Sequence, residues 1–139
     1  MLVSFCVIAY NEEKALDSLF KDIIAQDYPH GNIEVILVNA MSTDQTRRKM
    51  EHFSEEDHGF RRVVVLDNAK KIQAAGWNVA ITASKGDIIL RIDAHTMIPH
   101  DFVSKNVQCI LSGENVTGGR RPNVVEEETP WKHTLLLAR

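Results

Sequence analysis

An open α/β sheet, mostly parallel and with helices on both faces, is the fold this 139-residue sequence predicts. Three observations carry that expectation. Short, nearly continuous apolar runs alternate with segments of helical period, in the order strand, helix, four times over. The apolar runs lack the polar alternation of a half-solvated sheet, so both their faces are expected to be covered. Finally, the polar clusters fall directly after the strands, at the edge where open α/β sheets bind ligands.

Leu2 to Ala9 opens the chain as the first buried strand. Tyr10-Asn11-Glu12-Glu13 follows, and Ala15, Leu16, Leu19, Phe20, Ile23 and Ile24 then recur at helical spacing. Asn11 is expected as the N-cap, with Glu12 and Glu13 in the first turn. Capping explains these residues as well as a ligand-facing role for Tyr10 and Glu12 does. The turn formers from Asp27 to Asn32 end the helix.

Ile33 to Val38 is the second strand, running into Asn39-Ala40-Met41-Ser42-Thr43-Asp44. Either Ser42 or Thr43 is expected to cap the next helix, with Asp44 in its first turn and Met50 and Phe53 on its apolar stripe. Residues 54–62 read as a solvated connection, with His52 and His58 at the surface. Arg62 to Leu66 is the third strand. Asp67 to Lys71 leads from it into a helix with apolar positions at Ile72, Ala75, Val79, Ala80 and Ala83. Gly76 inside that helix costs about 1 kcal/mol relative to alanine, which suggests a close approach by backbone or ligand. Lys70 and Lys71, near the helix start, read either as solvated lysines or as partners of a nearby anion.

The fourth strand, entered at Gly86-Asp87, ends on Asp93-Ala94-His95. In extended chain residues i and i+2 face the same way, so Asp93 and His95 are expected to project together as a place for one cation. Pro99 ends regular structure and Asp101 is placed to cap a helix carrying Phe102, Val103, Val107 and Ile110. A short strand at 115–117, a solvated glutamate run at 126–128 and a helix opening at Thr129-Pro130 complete the reading. The sequence stops inside that last helix. About ten residues do not hold a helix alone, so a single domain cut from a longer protein is expected.

A net charge of −3 with scattered basic residues gives no footprint for nucleic acid. Cys6 and Cys109, far apart and without metal spacing, read as two buried thiols in a reducing compartment. No stretch approaches the ~20 apolar residues of a membrane span, and no signal peptide is evident, so a cytoplasmic location is expected. The absence of G-x-G-x-x-G and of G-x-x-x-x-G-K-[ST] disfavours the usual dinucleotide and P-loop chemistries.

Four motifs in order carry a resemblance: Val7 to Glu13, Val38 to Thr46, Asn68 and Lys71 with Ala75 to Ala80, and Asp87 to His95. Together they resemble the nucleotide-sugar-binding half of the family-2 glycosyltransferases, and the Asp-Ala-His triplet is similar to members that build exopolysaccharide such as succinoglycan. The resemblance implies a GT-A-like fold, a nucleotide-diphospho-sugar donor such as a UDP-sugar, a saccharide or lipid-linked acceptor, and association of the whole protein with the inner face of a membrane. It implies donor contacts from Ala9, Tyr10, Glu12, Asn39, Ser42, Asp44, Lys71, Gly76, Asn78 and Asp93. Asp93 and His95 would hold Mn²⁺ or Mg²⁺, with histidine in place of the usual second aspartate. Asn39 stands where the family has an aspartate that accepts from the uracil N–H; an amide oxygen can still accept. The general base is implied to lie beyond residue 139, which leaves the fragment able to bind donor and to transfer little. A non-catalytic α/β nucleotide-binding module, or a nucleotidyltransferase relative, is the competing reading.

Overall fold

The structure, a computed structural model, describes residues 1–113. The elements expected at 115–117, 126–128 and 129–139 lie outside the described residues. Those described form four strands and four α-helices in strict alternation: β1 (Val3–Ala9), α1 (Glu13–Ile24), β2 (Ile33–Asn39), α2 (Thr46–Glu55), β3 (Arg62–Asp67), α3 (Gln73–Ala83), β4 (Ile88–Asp93) and α4 (Phe102–Leu111). The sheet order is β3-β2-β1-β4 and every pairing is parallel. β1 and β2 are buried along almost their whole length. That is why their sequences run apolar without alternation.

Strand alternation divides the core in two. Val3, Phe5 and Val7 of β1, Val35 and Leu37 of β2, and Leu90 and Ile92 of β4 pack with Leu16, Leu19, Phe20 and Ile23 of α1, Met50 and Phe53 of α2, and Val103 and Val107 of α4. Cys6, Ile36 and Val38 pack on the other face against Trp77 and Ala80 of α3. The chain therefore reverses direction across the sheet at β4, after two crossovers on one face and a third on the other. Such a reversal opens a crevice between the carboxyl ends of β1 and β4.

The amino edge of the sheet is closed by a buried polar network. Ser4 and Glu34 lie opposite one another in β1 and β2, and Arg62 opposite Glu34 in β3. The Glu34 carboxylate accepts from the Ser4 hydroxyl at 2.5 Å, the Lys85 N–H at 2.6 Å and the Arg62 Nε at 2.7 Å. Arg62 also donates to the Ala83 carbonyl, and the Gly86 N–H donates to Ser4 Oγ. Burial pushes the Glu34 carboxyl pKa upward, but these donors outweigh it and hold the value below the ordinary one.

Some local expectations need correction. Cys6 is buried, its thiol pushed up to about 11 by burial against the opposing bond to Ser84, but Cys109 is exposed. Position 109 falls on the outer side of α4, away from buried Val103 and Val107. His58 is half-buried rather than on the surface, its ring stacked on Phe53 with centroids 5.4 Å apart. Asp101 occupies the N-cap position of α4, yet its carboxylate turns to Lys105 at 2.9 Å instead of capping. Among the described residues no helix is long and apolar enough to cross a membrane.

Candidate functional site

Because all four strands run parallel, the loops after β1, β2, β3 and β4 gather at one edge. Each of the first three contains one non-glycine residue in the left-handed region: Asn11 (φ 50°), Met41 (φ 57°) and Lys71 (φ 62°). Such residues cost about 1 kcal/mol each and persist where the surroundings impose them. Here the first two loops impose the geometry on one another. The N–H groups of Asn11, Glu12 and Glu13 donate to Ser42 Oγ at 2.9 Å, Thr46 Oγ1 at 2.8 Å and Asp44 Oδ2 at 3.4 Å. In return the Thr43 N–H donates to Asn11 Oδ1 at 2.8 Å and the Gln45 N–H to Glu13 Oε2 at 3.0 Å.

The first turn of a helix leaves N–H groups without intrahelical partners. α1 satisfies its own with side chains from the neighbouring loop. Asn11 is consequently not an N-cap; Glu12 holds that position and uses no side-chain cap. Neither Ser42 nor Thr43 caps α2, whose N-cap is Gln45, and Asp44 precedes that helix instead of lying in its first turn. Asp44 Oδ1 accepts the Thr46 N–H at 2.9 Å. Its pKa is raised by burial but lowered further by the Thr46 hydroxyl and N–H and the Glu13 N–H, with a net fall.

A pocket of about 200 Å³ opens between these loops and the end of β4. Of the residues the sequence singled out, Ala9, Tyr10, Glu12, Lys71, Gly76, Asp93 and His95 line it. Asn39, Ser42, Asp44 and Asn78 do not, each for a visible reason. Asn39 is 2% exposed and points toward the α2 side, its Oδ1 taking the Ser42 N–H at 3.1 Å and its Nδ2 facing Asp67 at 3.4 Å. Ser42 and Asp44 are committed to the bonds that brace the β1 loop and the starts of α1 and α2. Asn78 lies two residues past Gly76, roughly 200° around the helix, and faces solvent. Asn68 and Gln73 line the pocket without having been assigned a role. Asn68 follows the third apolar run as Tyr10 follows the first, and that position was the available signal.

Asp93 ends β4 on the α3 side of the sheet, level with Ile8 of β1. The strand stops there. Ala94 and His95 form a turn closed by the Thr96 N–H on the Asp93 carbonyl at 3.0 Å. The two ligand candidates thus reach one pocket through a turn, and not through the strand pleat that spacing alone suggested. His95 Nδ1 lies 3.4 Å from Glu12 Oε1, which joins the β4 turn to the β1 loop. Among the described residues no group of three or more His, Cys, Asp or Glu is placed to hold a metal. One carboxylate and one imidazole suit an ion that takes its other ligands from a bound diphosphate, in the manner of sites completed by substrate phosphates.

Comparison with known proteins bears on the family and the fold. The family described as Glycosyl transferase family 2 matches residues 4–138. The chain is 33% identical over 104 residues to the succinoglycan biosynthesis protein ExoA of Rhizobium meliloti, covering 73% of this chain and 30% of that protein. Among solved structures, Staphylococcus aureus TarS 1-349 in complex with UDP superposes with a TM-score of 0.76 at 23% identity, covering 94% of this chain and 38% of that one. The mannosyltransferase PcManGT from Pyrobaculum calidifontis, in complex with GDP-Man and Mn²⁺, gives a TM-score of 0.76 at 24% identity over 88% of this chain and 36% of that one. The chain therefore spans about a third of the length of these relatives.

Proposed function

The chain belongs to glycosyl transferase family 2, with a GT-A fold, and from that premise we propose that it binds the nucleotide-diphospho-sugar donor, a UDP-sugar, of an inverting glycosyltransferase. The observation that carries the reading is the shared pocket, in which Asp93 and His95 meet Tyr10 and Glu12 across the crevice between β4 and β1. Tyr10, 53% exposed at the pocket mouth, offers a ring face to a base or ribose. The Lys71 ammonium, in the same pocket lining, offsets the charge of a diphosphate. Asp93 and His95 are the pair fitted to hold Mn²⁺ or Mg²⁺, and the imidazole inclines the pair toward Mn²⁺. Such an ion, when bound, acts as a Lewis acid on the departing nucleoside diphosphate.

In this reading the acceptor, a saccharide or a lipid-linked one at the inner face of a membrane, docks on the part of the protein beyond these residues. An inverting displacement needs a carboxylate that deprotonates the attacking hydroxyl. That base belongs to the same missing part, so the 139-residue chain binds donor and transfers little. Calorimetric titration of UDP with and without Mn²⁺ tests the proposal. Binding should tighten at least tenfold with the metal, and Asp93→Ala should remove the difference. Heats that ignore both metal and substitution would reject the donor site.

A further inference from the structure

Glu12 reaches the pocket from a backbone that is fixed on both sides. Its N–H donates to Thr46 Oγ1 at 2.8 Å, and its carbonyl accepts the Ala15 and Leu16 N–H groups, both at 3.1 Å. As the N-cap of α1 it makes no side-chain capping bond, so the carboxylate of a well-held residue is left for another use. That use lies across the crevice, where Glu12 Oε1 stands 3.4 Å from His95 Nδ1. The His95 turn is anchored in its own right: Ala94 is 1% exposed, and the Thr96 N–H closes onto the Asp93 carbonyl at 3.0 Å. Two fixed turns thus bring a carboxylate to one particular nitrogen of the ring.

A neutral imidazole has one N–H and one lone pair, and a carboxylate only accepts. Facing Glu12, Nδ1 is the nitrogen that carries the proton, and Nε2 is the one left with a lone pair for a cation. We infer that Glu12 is a positioning residue for the metal site: it holds His95 in the Nδ1–H tautomer and makes Nε2 the more basic ligand for Mn²⁺. Metal-ligating histidines generally donate their other N–H to a carboxylate or carbonyl, and losing that partner costs roughly 10- to 100-fold in metal affinity. The pair is partly solvated and adds little to stability; what it decides is which nitrogen meets the ion. An ionised aspartate in place of His95 has no proton to give, and Glu12 beside it is a second negative charge, so the pairing belongs to the histidine form of the triplet. In this role Glu12 acts through the ring and not on the nucleotide. The inference rests on the pocket being the donor site.

Two measurements on the 139-residue chain test it. Long-range ¹⁵N NMR correlations of the neutral imidazole should show Nδ1–H for His95, changing in Glu12→Ala to the Nε2–H form that water favours. Calorimetry then compares UDP binding with and without Mn²⁺. Glu12→Ala should reduce the Mn²⁺-dependent gain in UDP affinity by about tenfold, and Glu12→Gln, whose amide oxygen still accepts the ring N–H, should recover part of it. In a His95→Asp background Glu12→Ala should not reduce the gain. An Nε2–H tautomer in the unsubstituted chain, an equal loss with and without Mn²⁺, or the same loss in the His95→Asp background overturns the positioning role while leaving metal-dependent binding intact. Where a variant fails to fold or to bind, the tautomer of the unsubstituted chain still decides. UDP binding that ignores Mn²⁺ in the unsubstituted chain overturns the donor site and the role of Glu12 together.

Discussion

The two edges of the sheet use polar residues in opposite ways. At the amino edge Ser4, Glu34, Arg62, Lys85 and Gly86 satisfy one another, with Glu34 1% exposed and accepting three bonds of 2.7 Å or less. At the carboxyl edge the contact between His95 and Glu12 is 3.4 Å, with the two side chains 62% and 30% exposed. Both sets lie on parallel strands of one sheet and both are built from charged and hydroxyl groups. The difference is where the valences point. Inward-facing groups that complete each other hold strands in register, whereas groups left turned toward a cleft keep hydrogen bonds for a ligand.

The sharpest way to break that comparison is to exchange the effects. Glu34→Ala leaves the Arg62 guanidinium, the Ser4 hydroxyl and the Lys85 N–H without their acceptor, and should cost about 3 kcal/mol in denaturant unfolding. The same experiment on His95→Ala should show a change of about 0.5 kcal/mol, since that side chain is 62% exposed and its 3.4 Å contact with Glu12 is a solvent-exposed pair. Equal losses at the two positions would dissolve the distinction. Gly86→Ala should come next, at about 2 kcal/mol. An added Cβ would lie 2.5 Å from Ser4 Oγ and 2.7 Å from the Ser4 backbone nitrogen, and the backbone atom has nowhere to retreat. Thermal unfolding with the calorimeter reads it directly.

The same contrast explains what the sequence disclosed. Apolar runs and helical periods placed all four strands and four helices within a residue or a few, because burial on both faces writes itself into composition. The family resemblance was also readable, from motifs that are local in sequence. What could not be read were choices made across the chain. Asn11 has the composition of an N-cap, yet its partner is the Thr43 N–H of another loop. Ser42 and Asp44 have the composition of caps for α2; Ser42 instead accepts the Asn11 N–H ahead of α1, and Asp44 divides its oxygens between Glu13 of α1 and Thr46 of α2. Asn39, which the resemblance put beside the base, lies 3.4 Å from Asp67 across the β2–β3 pairing, a cross-strand contact that local composition does not show. Asn68 was named in a motif but given no role, because its closeness to Gly76 in the pocket lining is made across the loop to the next helix.

The braced loops sit between the two edges in character, being inward-facing bonds placed beside the cleft. Thr46→Val keeps the shape of a fully buried side chain but withdraws the oxygen that takes the Glu12 N–H. A lost helix-terminal bond of this sort costs about 1 kcal/mol. UDP affinity should fall with it, since Glu12 is carried on the loosened turn. A stability loss without any change in binding would show that the bracing and the pocket are independent.

The smallest expected effect is in pH. Glu34 has its folded pKa lowered from 4.5, so it binds protons less readily in the native chain than in the unfolded one. Its contribution is therefore complete above about 4.5 and is lost as pH falls through the lower folded value. Glu34→Gln keeps the shape without that titration. The stability gap between the two proteins should be constant near neutrality and close progressively below pH 4.5, as followed by unfolding midpoints in urea. A gap that stayed constant into acid would mean that the network at the amino edge holds Glu34 by packing and not by its charge.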